Sequence, residues 1–122
     1  MVEKFWLDKA REFLQIAREA TEAGHYWLAC FSAQQAVEFL LEGIRVKYTG
    51  SCRFTHDLST LLDDVARLLN TTPPQEIYLA CDLLTPHYTL ARYSHTVDYD
   101  RRKAEQCVTQ ATKVFQWAET VK

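Results

Sequence analysis

The sequence predicts an all-α fold, an antiparallel bundle of about five helices forming one domain over residues 1–122. Three observations carry this expectation. Only three glycines and three prolines interrupt 122 residues, which favours long helices. Apolar side chains recur at steps of three and four along most of the chain, the period of a helix with one buried face. No convincing strand, internal repeat or low-complexity segment is present.

The elements follow in order. From residue 3 to 23, Trp6, Ala10, Phe13, Leu14, Ala17 and Ala20 share helical spacing, while Asp8, Lys9, Glu12, Gln15, Arg18, Glu19 and Glu22 fall on other faces. Gly24 supplies the stop, since glycine takes a left-handed backbone without a Cβ penalty. Residues 25 to 48 form the most apolar stretch. Ala29, Cys30, Ala33, Ala36, Val37, Leu40, Leu41 and Ile44 cover a broad side of it, so this helix is expected at the centre. Thr49 to Phe54 reads as a connection, and Thr55 is a candidate N-cap for a third helix with Leu58, Leu61, Leu62, Val65, Leu68 and Leu69 as its stripe.

Thr72 is a candidate cap for the fourth helix, with Pro73 in its first turn, where no amide donor is needed. Ile77, Ala80, Cys81 and Leu84 keep the period until Pro86, which ends or kinks the helix. After the run from His87 to His95, Asp98 or Asp100 caps a last helix with Ala104, Cys107, Val108, Ala111, Val114, Phe115, Ala118 and Val121 at the same steps.

Composition narrows the function classes. With 48% hydrophobic and 25% charged residues, the chain reads as an ordinary globular domain. Fourteen basic against sixteen acidic residues give a net charge of -2, without the basic excess of a strong nucleic-acid binder. No apolar run approaches membrane-spanning length, and the opening MVEKFWLDKAREFL carries charges where a signal peptide is apolar, so a cytoplasmic location is expected. Cys30, Cys52, Cys81 and Cys107 lie far apart, with no CxxC or Cys-His pairing. The expectation is therefore no metal site and no cofactor, with the helical cysteines acting as small buried side chains.

Two groups of residues ask for more than packing. On a helical wheel, Gln34, Gln35, Glu38, Glu42 and Arg45 share a side of the central helix with Trp27 and Phe31. Aromatic rings among polar groups suit a protein interface; the alternative is a partly solvated face whose rings touch a neighbouring helix. The second group is Tyr88, Arg92, Tyr93 and His95. Arginine offers a planar donor fork for phosphate, and tyrosine or histidine adds a stacking surface, so this set is a candidate nucleotide site. The structural alternative pairs Arg92 with Glu38 or Glu42. His56-Asp57 resembles a catalytic dyad, but an aspartate at a helix start is favourable simply through the helix dipole. No nucleophile motif or glycine-rich phosphate loop is present.

The chain also resembles the HEPN domain family. The resemblance rests on Trp6 and Ala10 in the first helix, the run YWLACFSAQQAVE from Tyr26 to Glu38, THDLSTLL from Thr55, and Tyr88 with Arg92-Tyr93 before an Ala-rich last helix. It implies an antiparallel bundle, commonly homodimeric, that associates with a minimal nucleotidyltransferase-like partner and binds a nucleotide. Some members are metal-independent ribonucleases of toxin-antitoxin systems, with an arginine several residues before a histidine and a composite site across the dimer. Here only Tyr93 and Ser94 separate Arg92 from His95, and no later histidine exists. The resemblance thus implies a non-enzymatic binding module first, with a ribonuclease using Arg92 and His95 as the alternative. Glu42 stands where the family commonly has lysine.

Overall fold

Six helices run through residues 2–121, the span described by the computed structural model: α1 (Val2–Ala23), α2 (Tyr26–Thr49), α3 (Leu58–Leu68), α4 (Gln75–Leu84), α5 (His87–Tyr93) and α6 (Arg101–Val121). No strand occurs among the described residues. α4 and α5 are two parts of one kinked arm, which reconciles six segments with a bundle of about five members. Thr85 and Pro86 keep right-handed helical dihedrals (φ/ψ -50/-45 and -61/-24). The chain therefore bends there without leaving the helical region, because Pro86 has no N–H to continue the ladder.

α2 lies at the centre, packed against α1, α3, α5 and α6, while α4 leans on α6 and α3. Every apolar residue expected on its buried side, from Ala29 to Ile44, is buried. Ala10, Leu14 and Ala17 from α1, Leu58, Leu61, Leu62 and Val65 from α3, Ile77, Ala80, Cys81 and Leu84 from α4, and Cys107, Ala111, Val114 and Ala118 from α6 complete the core. Leu68 departs from its expected stripe and is partly exposed at the end of α3.

Left-handed glycines close the first two helices: Gly24 at φ +84, and Gly50 at φ +77, whose N–H donates to the Val46 carbonyl at 2.9 Å. Gly43 has a different role. A Cβ there would sit 2.9 Å from Trp6 Cβ and 3.1 Å from Leu7 Cδ2, so its bare backbone sets how closely α1 approaches α2. Gly43→Val is expected to destabilise the fold by about 2–3 kcal/mol through overpacking, read from denaturant melts. Gly43→Ala should cost less, because the better helix propensity of alanine returns about 1 kcal/mol.

Two caps differ from those expected, and a third falls on one of its two candidates. Asp57, not Thr55, caps α3: its carboxylate accepts from the Ser59 N–H at 3.2 Å and the Thr60 hydroxyl at 3.0 Å. Thr55 instead accepts from the Asp57 N–H. Thr72 caps nothing, since α4 begins after Pro74, and the buried Pro73 precedes the helix rather than occupying its first turn. Asp100 is the cap of α6, accepting from the Lys103 N–H at 2.8 Å.

Two buried carboxylates tie the loop before α3 to the bundle. Glu42, 2% exposed, accepts from the Arg53 N–H at 3.0 and 3.1 Å and from the Phe54 N–H at 3.0 Å. These bonds hold Phe54 at φ +58, a left-handed backbone unusual for a bulky residue. Asp64, 5% exposed, bonds Arg53 Nη1 at 3.0 Å and pairs with Arg67. Arg45 Nε lies 3.1 Å from the same carboxylate, with its N–H not aligned for a hydrogen bond.

Candidate functional site

The two groups singled out in the sequence meet where α5 packs on α2. Phe31, Gln34, Gln35 and Glu38 come from successive turns of α2, Tyr88, Arg92 and Tyr93 from α5, and His56 from the loop ahead of α3. The His56 and Tyr88 rings stack with centroids 3.5 Å apart and planes at 15°. The Arg92 guanidinium lies 4.4 Å from the Tyr88 centroid and 4.8 Å from those of Phe31 and Tyr93. Its Nε donates to the Tyr88 carbonyl at 2.8 Å. With Nη1 also donating to the Tyr93 hydroxyl at 3.4 Å, the cation is positioned by aromatic faces, one backbone oxygen and one phenol, an arrangement that fixes the planar fork.

Arg92 does not pair with Glu38 or Glu42. Glu42 is engaged by the Arg53–Phe54 backbone, and Glu38 Oε1 collects Gln34 Nε2 at 3.1 Å, Gln35 Nε2 at 3.2 Å and His56 Nδ1 at 2.9 Å. Gln34 Nε2 also reaches the His56 carbonyl at 3.2 Å, and Gln35 Nε2 donates to Gln34 Oε1 at 2.8 Å. The polar stripe on α2 is accordingly an internal network that positions His56. Since a carboxylate only accepts, His56 Nδ1 is the donor, and the neutral ring carries its lone pair at Nε2.

The expected interface residues separate in exposure. Gln34, Gln35 and Glu42 are buried within the chain, and Glu38 and Phe31 are half-buried; Trp27 is 47% exposed. His95 lies outside the cluster. α5 ends at Tyr93, Ser94 turns to extended backbone (φ/ψ -78/129), and His95 is exposed in the bend beyond, with no hydrogen bond or ring contact to Arg92 among the described residues. His56 is the histidine that sequence reasoning passed over: its acidic partner is Glu38, eighteen positions away, rather than the adjacent Asp57. Its pairing with Asp57 in sequence and its place in the THDLSTLL run were the signals that pointed to it.

Two further features surround the cluster. Leu79, Leu83, Leu90 and Tyr93 are exposed along the outer side of the α4–α5 arm, Tyr93 by 70%. Behind α5, Cys30, His87 and Cys107 converge, with Tyr99 Oη 2.7 Å from His87 Nδ1. The Cys107 thiol is held below its ordinary range by the neighbouring Cys30 thiol and by His87, while Cys107 and burial push Cys30 up; the Cys30 Sγ–H donates to the Lys103 carbonyl at 3.6 Å. Burial raises Tyr99 to about 12. Among the described residues, no helix is long and apolar enough to cross a membrane.

Comparison with known proteins adds a family to this geometry. The model described as "HEPN domain" matches residues 3–121. Two solved structures are similar along the chain, each 29% identical and with 98% of both chains covered. One is TT1696 from Thermus thermophilus, with a TM-score of 0.88. The other is ST0689, an archaeal HEPN homologue, with a TM-score of 0.76. Among curated proteins, nothing matches.

Proposed function

We propose, from the premise that this chain belongs to the HEPN domain family, that it is a non-enzymatic binding module: a homodimer that associates with a nucleotidyltransferase-like protein and holds a nucleotide at Arg92. The observation behind the nucleotide is the setting of Arg92. Three rings and a backbone carbonyl orient its guanidinium, and none of the ion pairs among the described residues uses it. Its outward N–H groups suit a phosphate, and the exposed Tyr93 ring beside it suits a base. The apolar side chains along the α4–α5 arm and the exposed Trp27 support protein contact next to the same site.

Calorimetric titration with nucleoside mono- and triphosphates, together with light scattering and capture of the partner from the native cell, tests the reading. The expected result is a dimeric mass, a nucleotidyltransferase-like protein in the eluate and saturable nucleotide binding. A monomer that binds no nucleotide and captures no such partner would end it.

One observation favours a second reading, a metal-independent ribonuclease. His56 is held by Glu38 with Nε2 as the free nitrogen, and its ring stacks on Tyr88 beside Arg92. Such a histidine can take the proton of a 2′-hydroxyl while Arg92 stabilises charge on the phosphate. On this reading, single-stranded RNA is cleaved in chelator, and His56→Ala and Arg92→Ala lose at least a hundredfold in rate while His95→Ala retains it. Equal traces in all four proteins would indicate contamination and leave the binding module standing.

A further inference from the structure

α2, α5 and α6 each send one soft donor to the same point. Cys30 and Cys107 are buried, at 0% and 4% exposure, and His87 is half-buried. The two Sγ atoms and a ring nitrogen lie within 4.8 Å of one another. Zinc–sulfur bonds of about 2.3 Å and zinc–nitrogen bonds of about 2.0 Å, at tetrahedral angles, set such donors roughly 3.5–3.8 Å apart. The closing movement is about 1 Å, within reach of side-chain rotation.

The imidazole is also oriented from behind. Tyr99 Oη lies 2.7 Å from His87 Nδ1, and with Nδ1–H donating to that hydroxyl, Nε2 keeps the lone pair that a metal would take. A ligating histidine with its other nitrogen held by an outer hydrogen bond is the arrangement that fixes ring and tautomer in metal sites. Packing alone explains a buried cysteine, as at Cys81, which has no such company. It does not explain a second thiol and an oriented imidazole converging from two other helices.

We propose that Cys30, His87 and Cys107 form a binding site for a thiophilic d10 cation, Zn2+ or Cu+, held by two thiolates and an imidazole. Binding releases the two thiol protons to solvent. Two thiolates neutralise Zn2+, which then takes one further donor from solution; the same three donors complete a trigonal Cu+. The ion would pin α5, the helix bearing Tyr88 and Arg92, to α2 and α6. The inference stands on these donors alone and does not depend on the function proposed above.

The test uses the full chain, reduced and free of oxygen. Co2+, as the spectroscopic surrogate for Zn2+, is titrated while thiolate-to-cobalt charge transfer and tetrahedral ligand-field bands are followed; Cu+ is titrated against a chromophoric chelator. One equivalent of either ion is expected in wild type and in Cys52→Ser, with Tyr99→Phe about tenfold weaker. Cys107→Ser and His87→Gln should lose the site. Circular dichroism checks folding, and His87→Gln, at the half-buried position, serves if Cys107→Ser does not fold. Cobalt bands identify the zinc form and chelator competition the copper form. Wild type that takes up neither ion stoichiometrically, or binding that survives in a folded Cys107→Ser or His87→Gln, overturns the proposal.

Discussion

Glu42→Ala is expected to lower stability by about 3–4 kcal/mol and to release the loop that carries His56. The carboxylate is 2% exposed and accepts both the Arg53 and Phe54 N–H groups, while Arg45 lies 3.6 Å away. Charge-assisted hydrogen bonds contribute about 1.5–3 kcal/mol each, and removing the buried carboxylate leaves both N–H groups without their acceptor. Part of the loss is returned, because Phe54 no longer needs its left-handed backbone and the loop relaxes. The stability change appears in urea melts. The relaxation appears separately, as faster amide exchange over residues 52–57 than in α2. Glu42→Gln, which keeps one acceptor oxygen, should lose less. Unchanged melts for Glu42→Ala would show that solvent satisfies these N–H groups.

If the proposed nucleotide site is right, Arg92→Ala is expected to weaken nucleotide binding by about 10- to 100-fold, the worth of one or two charge-assisted hydrogen bonds to phosphate. The melting midpoint should barely move, since Arg92 is exposed and α5 is anchored by Ala91 and Tyr88 rather than by its guanidinium. Arg92→Lys should restore little. Lysine keeps the charge but neither the planar fork nor the stack on Tyr88, Phe31 and Tyr93. Calorimetric titration of the three proteins side by side gives the measurement. A full rescue by lysine would mean that net charge, rather than stacking geometry, governs the site.

The helices were readable because one-sided burial imprints a period on the sequence: Ala29 to Ile44 repeat at three and four and are buried where expected, and along α6 Ala104, Cys107, Ala111, Val114 and Ala118 are buried while Val108 and Phe115 are half-buried. Caps were readable only as classes of residue. Thr55 and Asp57 are both able to cap, and the choice depends on where the loop held by Glu42 delivers the chain into α3. Each half of the site was visible on its own helix. Their meeting was not, because contact between Phe31 and Tyr88 depends on how the arm bends at Pro86, a tertiary matter. His56 was hidden by its neighbour, since a dyad was sought along the chain while Glu38 approaches across it. His95 misled for the converse reason: three positions from Arg92 in sequence, it is carried off the helix by the extended Ser94. The cysteine–histidine group is invisible to spacing rules, because its members come from three helices.

The bend at Pro86 has a thermodynamic side. With the ladder interrupted there and Ala91 as the buried residue of α5, opening of the last two turns of the arm would expose little of the bundle's core. Local opening of this kind draws on a small part of the global stability. Whatever engages Arg92 binds only the docked arm, so its apparent dissociation constant is the intrinsic one divided by the docked fraction. Any contact that clamps α5 from another side raises that fraction, and two ligands that never touch would then favour each other's binding through the occupancy of a single short helix.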